Sequence, residues 1–158
     1  SIQCKAGCAG CCQDQRIVSP VEAYSLLEAV RALSEDVRAS LEGRLARSEI
    51  QAPCVLLEND QCLVYEARPL ICRTHGTLVW LRDSDTRDTC PLNFADLALA
   101  DLPREHFLDV ERLNMMLALT NELSDLKELE RASIPDWLQN TRSFWQSGNE
   151  QSGRVETP

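Results

Sequence analysis

Cys4-Lys5-Ala6-Gly7-Cys8-Ala9-Gly10-Cys11-Cys12 places four thiols in one short stretch that has no large apolar side chain. Such a segment cannot build a core of its own and has to be held by something else. Four further cysteines, Cys54, Cys62, Cys72 and Cys90, lie in the middle of the chain, and none follows residue 90. The fold therefore turns on what the eight thiols do together. Cysteines used only as small buried hydrophobes would scatter through apolar stretches and would not gather as Cys4-x3-Cys8-x2-Cys11-Cys12. Disulfides joining the first four to the last four would close long loops, as in an extracytoplasmic domain. Against them, a chain of 158 residues buries enough surface to fold without staples, and its first ten residues show no hydrophobic leader. Metal is the third use, since thiolates are preferred ligands of zinc and of iron–sulfur clusters, four to each centre.

Spacing separates these metals only in part. Structural zinc sites usually supply two Cys-x2-Cys knuckles, and here only Cys8 and Cys11 form one. The Cys4, Cys8, Cys11 triplet instead sets three thiols on one compact loop, suited to three irons of a four-iron cluster, and Cys90 precedes Pro91 as in many ferredoxin loops. On spacing, the balance tips toward iron–sulfur. Lys5, Arg16, Arg68 and Arg73 flank the cysteines in a chain of formal net charge -9. Each alone reads as a surface ion pair; as a group they suit the negative charge of buried thiolates. His75, three residues after Cys72, reads equally as a ligand, as a donor to a ligand, or as a cap on a loop carbonyl. Arg68, Arg73 and His75 are therefore the candidate cofactor-binding residues beside eight candidate cysteine ligands. His106 has no cysteine near it in sequence and reads as structural. Asp83, Asp85 and Asp88 lack the glycine and closing glutamate of a calcium loop.

Working outward from the cysteines, Ser19-Pro20-Val21-Glu22 is a helix start, with an N-cap, a proline in the first turn and an acid three residues after the cap. Val21, Tyr24, Leu27 and Val30 predict an amphipathic helix over 20–33, and Val37, Leu41 and Leu45 a second one opened by Ser34. Cys54–Leu57 and Cys62–Tyr65, around the polar turn Glu58-Asn59-Asp60-Gln61, predict a β-hairpin. Cys72–Gly76 reads as a loop or one helical turn, Thr77–Leu81 as a strand and Arg82–Thr89 as a polar turn. Leu102-Pro103 opens a predicted long helix through Phe107, Val110, Leu113 and Leu117 to about Leu129. A shorter one is centred on Trp137 and Trp145. The expectation is a mainly α fold with a small β-hairpin region, a metal-stapled N-terminal cysteine loop docked on a central hairpin, and a helical C-terminal part. It forms one domain over 1–146, with a cysteine core at 4–94, a helical extension at 95–146 and a flexible tail at 147–158.

Only two lysines and an acidic balance argue against nucleic acid and against an anionic membrane surface. No apolar run approaches the roughly 18 residues needed to cross a bilayer, so the reading is a cytoplasmic protein. No nucleophile elbow, phosphate loop or dinucleotide fingerprint is present, which favours a metal binder over an enzyme. The long amphipathic C-terminal helix is expected to pack either in cis or on a protein partner.

Taken together, these residues resemble the YkgJ-type cysteine-cluster family, named for an N-terminal Cys-x2-Cys-x2-Cys-Cys signature. The resemblance continues in Ile17-Val-Ser-Pro-Val-Glu22, in Cys54 to Arg73 read as C-x7-C-x-V-Y-E-x-R-P-x-x-C-R, and in Cys90-Pro91. It covers residues 4 to about 94, includes all eight cysteines and implies chelation of zinc or iron through their thiolates. One departure stands out: the first gap holds three residues instead of two, which displaces Cys4 from the site or alters the site's geometry. Flagellin lysine methylases are similar in their cysteine cluster, which implies a redox or group-transfer enzyme as the alternative. The triplet is also similar to that of radical S-adenosylmethionine enzymes, but a mainly helical chain of this length cannot supply their large α/β barrel.

Overall fold

The computed structural model describes residues 1–5, 7–47 and 53–147. Helix α1, Pro20–Arg31, starts where Ser19-Pro20 places it, and the Glu22 carboxylate accepts hydrogen bonds from the Ser19 backbone N–H at 2.9 Å and its hydroxyl at 2.7 Å. The buried stripe is not the expected one. Ala23, Leu26, Leu27 and Val30 face the core, while Tyr24 is 43% exposed. Steps of three residues drift around a helix that turns every 3.6, whereas 23, 26, 27 and 30 follow the i, i+3, i+4, i+7 pattern of a single face. The helix ends at Arg31, short of Leu33. Helix α2, Glu35–Leu45, buries Leu41 and Leu45 in the same core.

The predicted hairpin forms, but its strands are two residues each and include Glu58 and Gln61, expected in the turn. Strands β2, Leu57–Glu58, and β3, Gln61–Cys62, pair antiparallel, with Leu57 opposite Cys62. Asn59 and Asp60 both take positive φ, the conformation of a two-residue hairpin turn that Asn and Asp tolerate. The cysteine loop docks here, where the Cys54 N–H donates to the Cys12 carbonyl at 2.8 Å and Gln15 Nε2 donates to the Pro53 carbonyl. After Pro69 comes a short helix, α3, Leu70–Thr74, one of the two forms expected for the Cys72 segment.

Beyond Gly76 the structure departs from expectation twice. Strand β4, Val79–Leu81, pairs antiparallel with β5, Thr86–Asp88, so the polar stretch read as a turn contains an edge strand. Edge strands with a solvated face tolerate polar residues, which hid this one. The long helix expected from Leu102 is also shorter: residues 99–101 and 104–106 form 3-10 turns, and Leu108–Asp109 (β6) pairs parallel with β4. Only then does α4, Val110–Glu122, begin, capped by the Asp109 carboxylate. Pro103 and the strand pairing of Leu108 set that boundary. The Trp137–Trp145 segment is two helices, α5, Ile134–Asn140, and α6, Arg142–Gln146.

A pairing with no local signal joins the two ends of the described chain. Strand β1, Ile17–Val18, pairs antiparallel with β7, Ala132–Ser133. One core results, in which Val18 and the α1 and α2 residues meet Val55, Leu56 and Val64 of the hairpin region and Ile134, Leu138 and Trp145 of the last helices. The architecture is mainly helical with three small sheets. Apart from Ser147, the tail expected over 147–158 lies outside the described residues. Among the described residues no helix is long and apolar enough to cross a membrane.

Candidate metal centre

Six cysteines from three chain segments line one cavity of about 400 Å³: Cys8, Cys11 and Cys12 from the loop, Cys54 and Cys62 from the hairpin, and Cys72 from α3. Each arrives for a local reason. The 3-10 turn Gly10–Cys12 presents adjacent thiols inward; Cys54 precedes the first hairpin strand and Cys62 ends the second; Pro69 starts the helical turn that carries Cys72. Apolar wall comes from Leu56, Leu57, Val64, Ile71 and Ile134. All eight cysteines are unbridged.

The sulfurs sense one another. Cys12 is pushed up to about 12, chiefly by burial and then by the charges of Cys11, Cys54 and Cys62. Cys72 is pushed up to about 11 by burial, with Cys54 and Cys62 adding to it. Burial also raises Cys54 and Cys62, but the backbone N–H groups of Leu56 and Val64 hydrogen-bond to those sulfurs and oppose the rise. An amide two residues beyond a cysteine, pointing at its sulfur, is the kind of donor that supports a metal-bound thiolate. Arg16 and Arg68 act in the same direction, Arg16 on Cys54 and Cys72 and Arg68 on Cys62.

Cys11 and Cys12 Sγ stand 3.9 Å apart. That is close to the spacing of about 3.8 Å between two ligands of a tetrahedral metal with bonds of about 2.3 Å. Among the described residues, however, no three His, Cys, Asp or Glu side chains are already drawn into a ligand shell. The two observations agree physically. Protonated, neutral thiols in an apolar cavity have nothing to pull them together, and a cation that displaces their protons does. The donor set fits a thiophilic metal.

The other candidates are placed differently. Arg16 Nη2 donates to the Cys11 carbonyl at 2.9 Å, and Arg68 lies over the Tyr65 ring while Nε donates to the Tyr65 carbonyl. Lys5 and His75 also line the cavity. Arg73 does not: it donates to the Arg68 and Glu66 carbonyls and so braces the loop before α3. Cys4 and Cys90 are not among the lining residues either. Both sit beyond the His75-Gly76 corner, beside Asn93, where the Asn93 amide donates to Cys4 Sγ at 3.4 Å. Asn93, 1% exposed, was missed by the sequence reading. Its only cue is a position three residues after Cys90.

Residues 3–91 match the family described as "CxxCxxCC: Putative zinc- or iron-chelating domain". The chain belongs to this CxxCxxCC family. No curated protein and no solved structure matches the chain. The CxxCxxCC match ends at Pro91, so the helices that complete the core, and Ile134 on the cavity wall, lie outside it.

Proposed function

We propose that this CxxCxxCC protein holds a metal centre, an iron–sulfur cluster in preference to a single zinc, in the chamber of Cys8, Cys11, Cys12, Cys54, Cys62 and Cys72. The carrying observation is the convergence of six thiols from three segments on one cavity with apolar walls, where Cys11, Cys12, Cys54, Cys62 and Cys72 interact with one another. Six donors exceed the four that either centre takes, so the count leaves the metal open and the preference rests on the size of the chamber. A volume of about 400 Å³ exceeds what one ion needs, and an apolar surround tunes the potential of a cluster. When bound, such a centre supplies a reversible one-electron couple, or Lewis acidity if it is zinc. The chain's part is to hold and shield it: Leu56 and Val64 N–H groups on sulfur, Arg16 and Arg68 beside the thiolates, and Leu57, Ile71 and Ile134 against water. The reading favoured is a cytoplasmic metal binder or carrier; a redox or group-transfer enzyme would need an open coordination position with His75, Arg68 or Lys5 at the rim.

Metal and acid-labile sulfide analysis of protein purified without air, with its absorption spectrum, tests this. Iron with sulfide and a visible band is expected; zinc without colour would reassign the metal to the same thiols, and neither would sink the reading. Cys11→Ser and Cys72→Ser are each expected to lower metal content and melting temperature. Full loading in both variants would remove these thiols from the site.

A further inference from the structure

Cys4 and Cys90 are set apart from the other six thiols. Neither lines the chamber, in which the other six stand. They meet instead at Gly76. A Cβ built on that glycine would lie 3.0 Å from Cys4 Sγ and 3.9 Å from Cys90 Cβ, so those two atoms are separated by no more than the sum of these distances. The corner is a constructed one. Asn93 Nδ2 donates to the Gly76 carbonyl at 2.6 Å and to Cys4 Sγ at 3.4 Å, its Oδ1 accepts from the Gln3 N–H at 2.7 Å, and its own N–H donates to the Cys90 carbonyl at 2.8 Å. One fully buried asparagine thus binds together the segment before Cys4, the Gly76 turn and the Cys90 turn, the first two through its side-chain amide and the third through its backbone N–H. Cys4 is exposed and Cys90 half-buried, so one thiol is open to a reagent and the other stands behind it.

We infer that Cys4 and Cys90 form a redox-active thiol pair separate from the metal centre, with small-molecule disulfides as its oxidants. This rests on the chamber reading only in assigning the metal to the other six. The exposed Cys4 thiolate attacks one sulfur of a disulfide RS–SR, forming a mixed disulfide and releasing one RS⁻, which takes up the Cys4 proton. The Cys90 thiolate then attacks the Cys4 sulfur, forming the Cys4–Cys90 bond and expelling the second RS⁻, which takes up the Cys90 proton. Two protein thiols are oxidised and one external disulfide is reduced to two thiols. A disulfide needs the two Cβ atoms about 3.8 Å apart, so forming it requires the exposed Cys4 segment to close on Cys90. The bond would tie the start of the cysteine loop to the corner behind His75.

Two measurements on the full chain test the pair, with oxidised glutathione as the probe. In the first, metal-loaded protein is alkylated under native conditions and the labelled cysteines are mapped by mass spectrometry. Labelling of Cys4 and Cys90 alone supports the division; protection of all eight overturns it, because both would then be metal ligands. Labelling of all eight would count against the chamber's metal instead, and the second measurement then decides the pair by itself. Metal-free protein is incubated with oxidised glutathione and its disulfides are mapped. A dominant Cys4–Cys90 link is expected in wild type, with Cys90→Ser retaining one glutathione on Cys4. Cys4 linked mainly to a chamber thiol, or left as free thiol beside oxidised chamber cysteines, would overturn the pairing.

Discussion

Gly76 takes φ +92 and faces Asn93 Nδ2 at 2.8 Å from where a Cβ would stand. An alanine there meets both a left-handed backbone and a buried side-chain amide that is committed to three hydrogen bonds. Gly76→Ala is expected to destabilise the protein by about 1–3 kcal/mol. Gly10→Ala, at a site with nothing within 4 Å and no positive φ, should change stability little. Urea denaturation of both variants checks this, and equal midpoints would contradict the account of the corner. At the same scale, the chamber thiols set a pH dependence. An acid whose pKa is higher in the folded chain than in the unfolded chain holds its proton longer when folded, so stability falls as pH rises between the two values. For Cys12 and Cys72 the window opens at 9.0 and runs to about 12 and about 11. Metal-free, reduced protein should therefore lose stability steadily above pH 9, and Cys12→Ser should flatten that loss. Urea midpoints against pH give the slope; a wild-type midpoint that stays constant over this range would contradict it.

Among the elements, the contact between α1 and α3 ties the scaffold to the centre. One oxygen of Glu22 serves the start of α1, and the other accepts the Leu70 N–H at 2.7 Å, at the first residue of the helix that carries Cys72. Glu22→Ala leaves both N–H groups without an acceptor. The expected cost is about 1–2 kcal/mol, with lower metal affinity than a destabilised variant remote from α3. Glu22→Gln, which keeps an acceptor oxygen, should recover part of both. Chemical denaturation and competition with a chelator measure the two effects, and unchanged metal affinity in Glu22→Ala would show that α3 holds its place without Glu22. The helix start itself was legible in Ser19-Pro20-Val21-Glu22, and the existence of the hairpin, though not its strand bounds, in Glu58-Asn59-Asp60-Gln61 between apolar runs, because those signals are local. The reach of Glu22 to Leu70 was not, nor were β5 and β6. Those strands form because β4 offers an edge on each side, and nothing in Thr86–Asp88 or Leu108–Asp109 announces it.

Across the whole molecule, the sequence pattern carried the identity of the thiols further than their arrangement. Spacing gathered eight cysteines into one candidate set; it could not show that Gly76 and Asn93 draw Cys4 and Cys90 to a different corner, since contacts between residues 4, 76 and 93 leave no periodic trace. The same holds for the support behind the chamber. Trp145 is completely buried, its indole N–H donates to the Leu138 carbonyl at 2.8 Å, and with Ile134 and Leu138 it closes the core that Val55, Leu56 and Val64 begin. Ile134 in turn lines the cavity, and its N–H donates to the Arg16 carbonyl, next to the β1–β7 pairing. A change far beyond the last cysteine should therefore reach the metal. Trp145→Ala removes a large buried ring and is expected to cost about 3–5 kcal/mol and to speed metal release on warming. Leu123→Ala, 88% exposed at the end of α4, serves as the control and should change neither. Thermal unfolding followed together with metal release to a chromophoric chelator distinguishes the outcomes. If Trp145→Ala unfolds early yet its metal-free and metal-loaded forms differ in melting temperature as much as wild type does, the C-terminal helices stabilise the fold without shaping the chamber. A smaller difference shows that they do both.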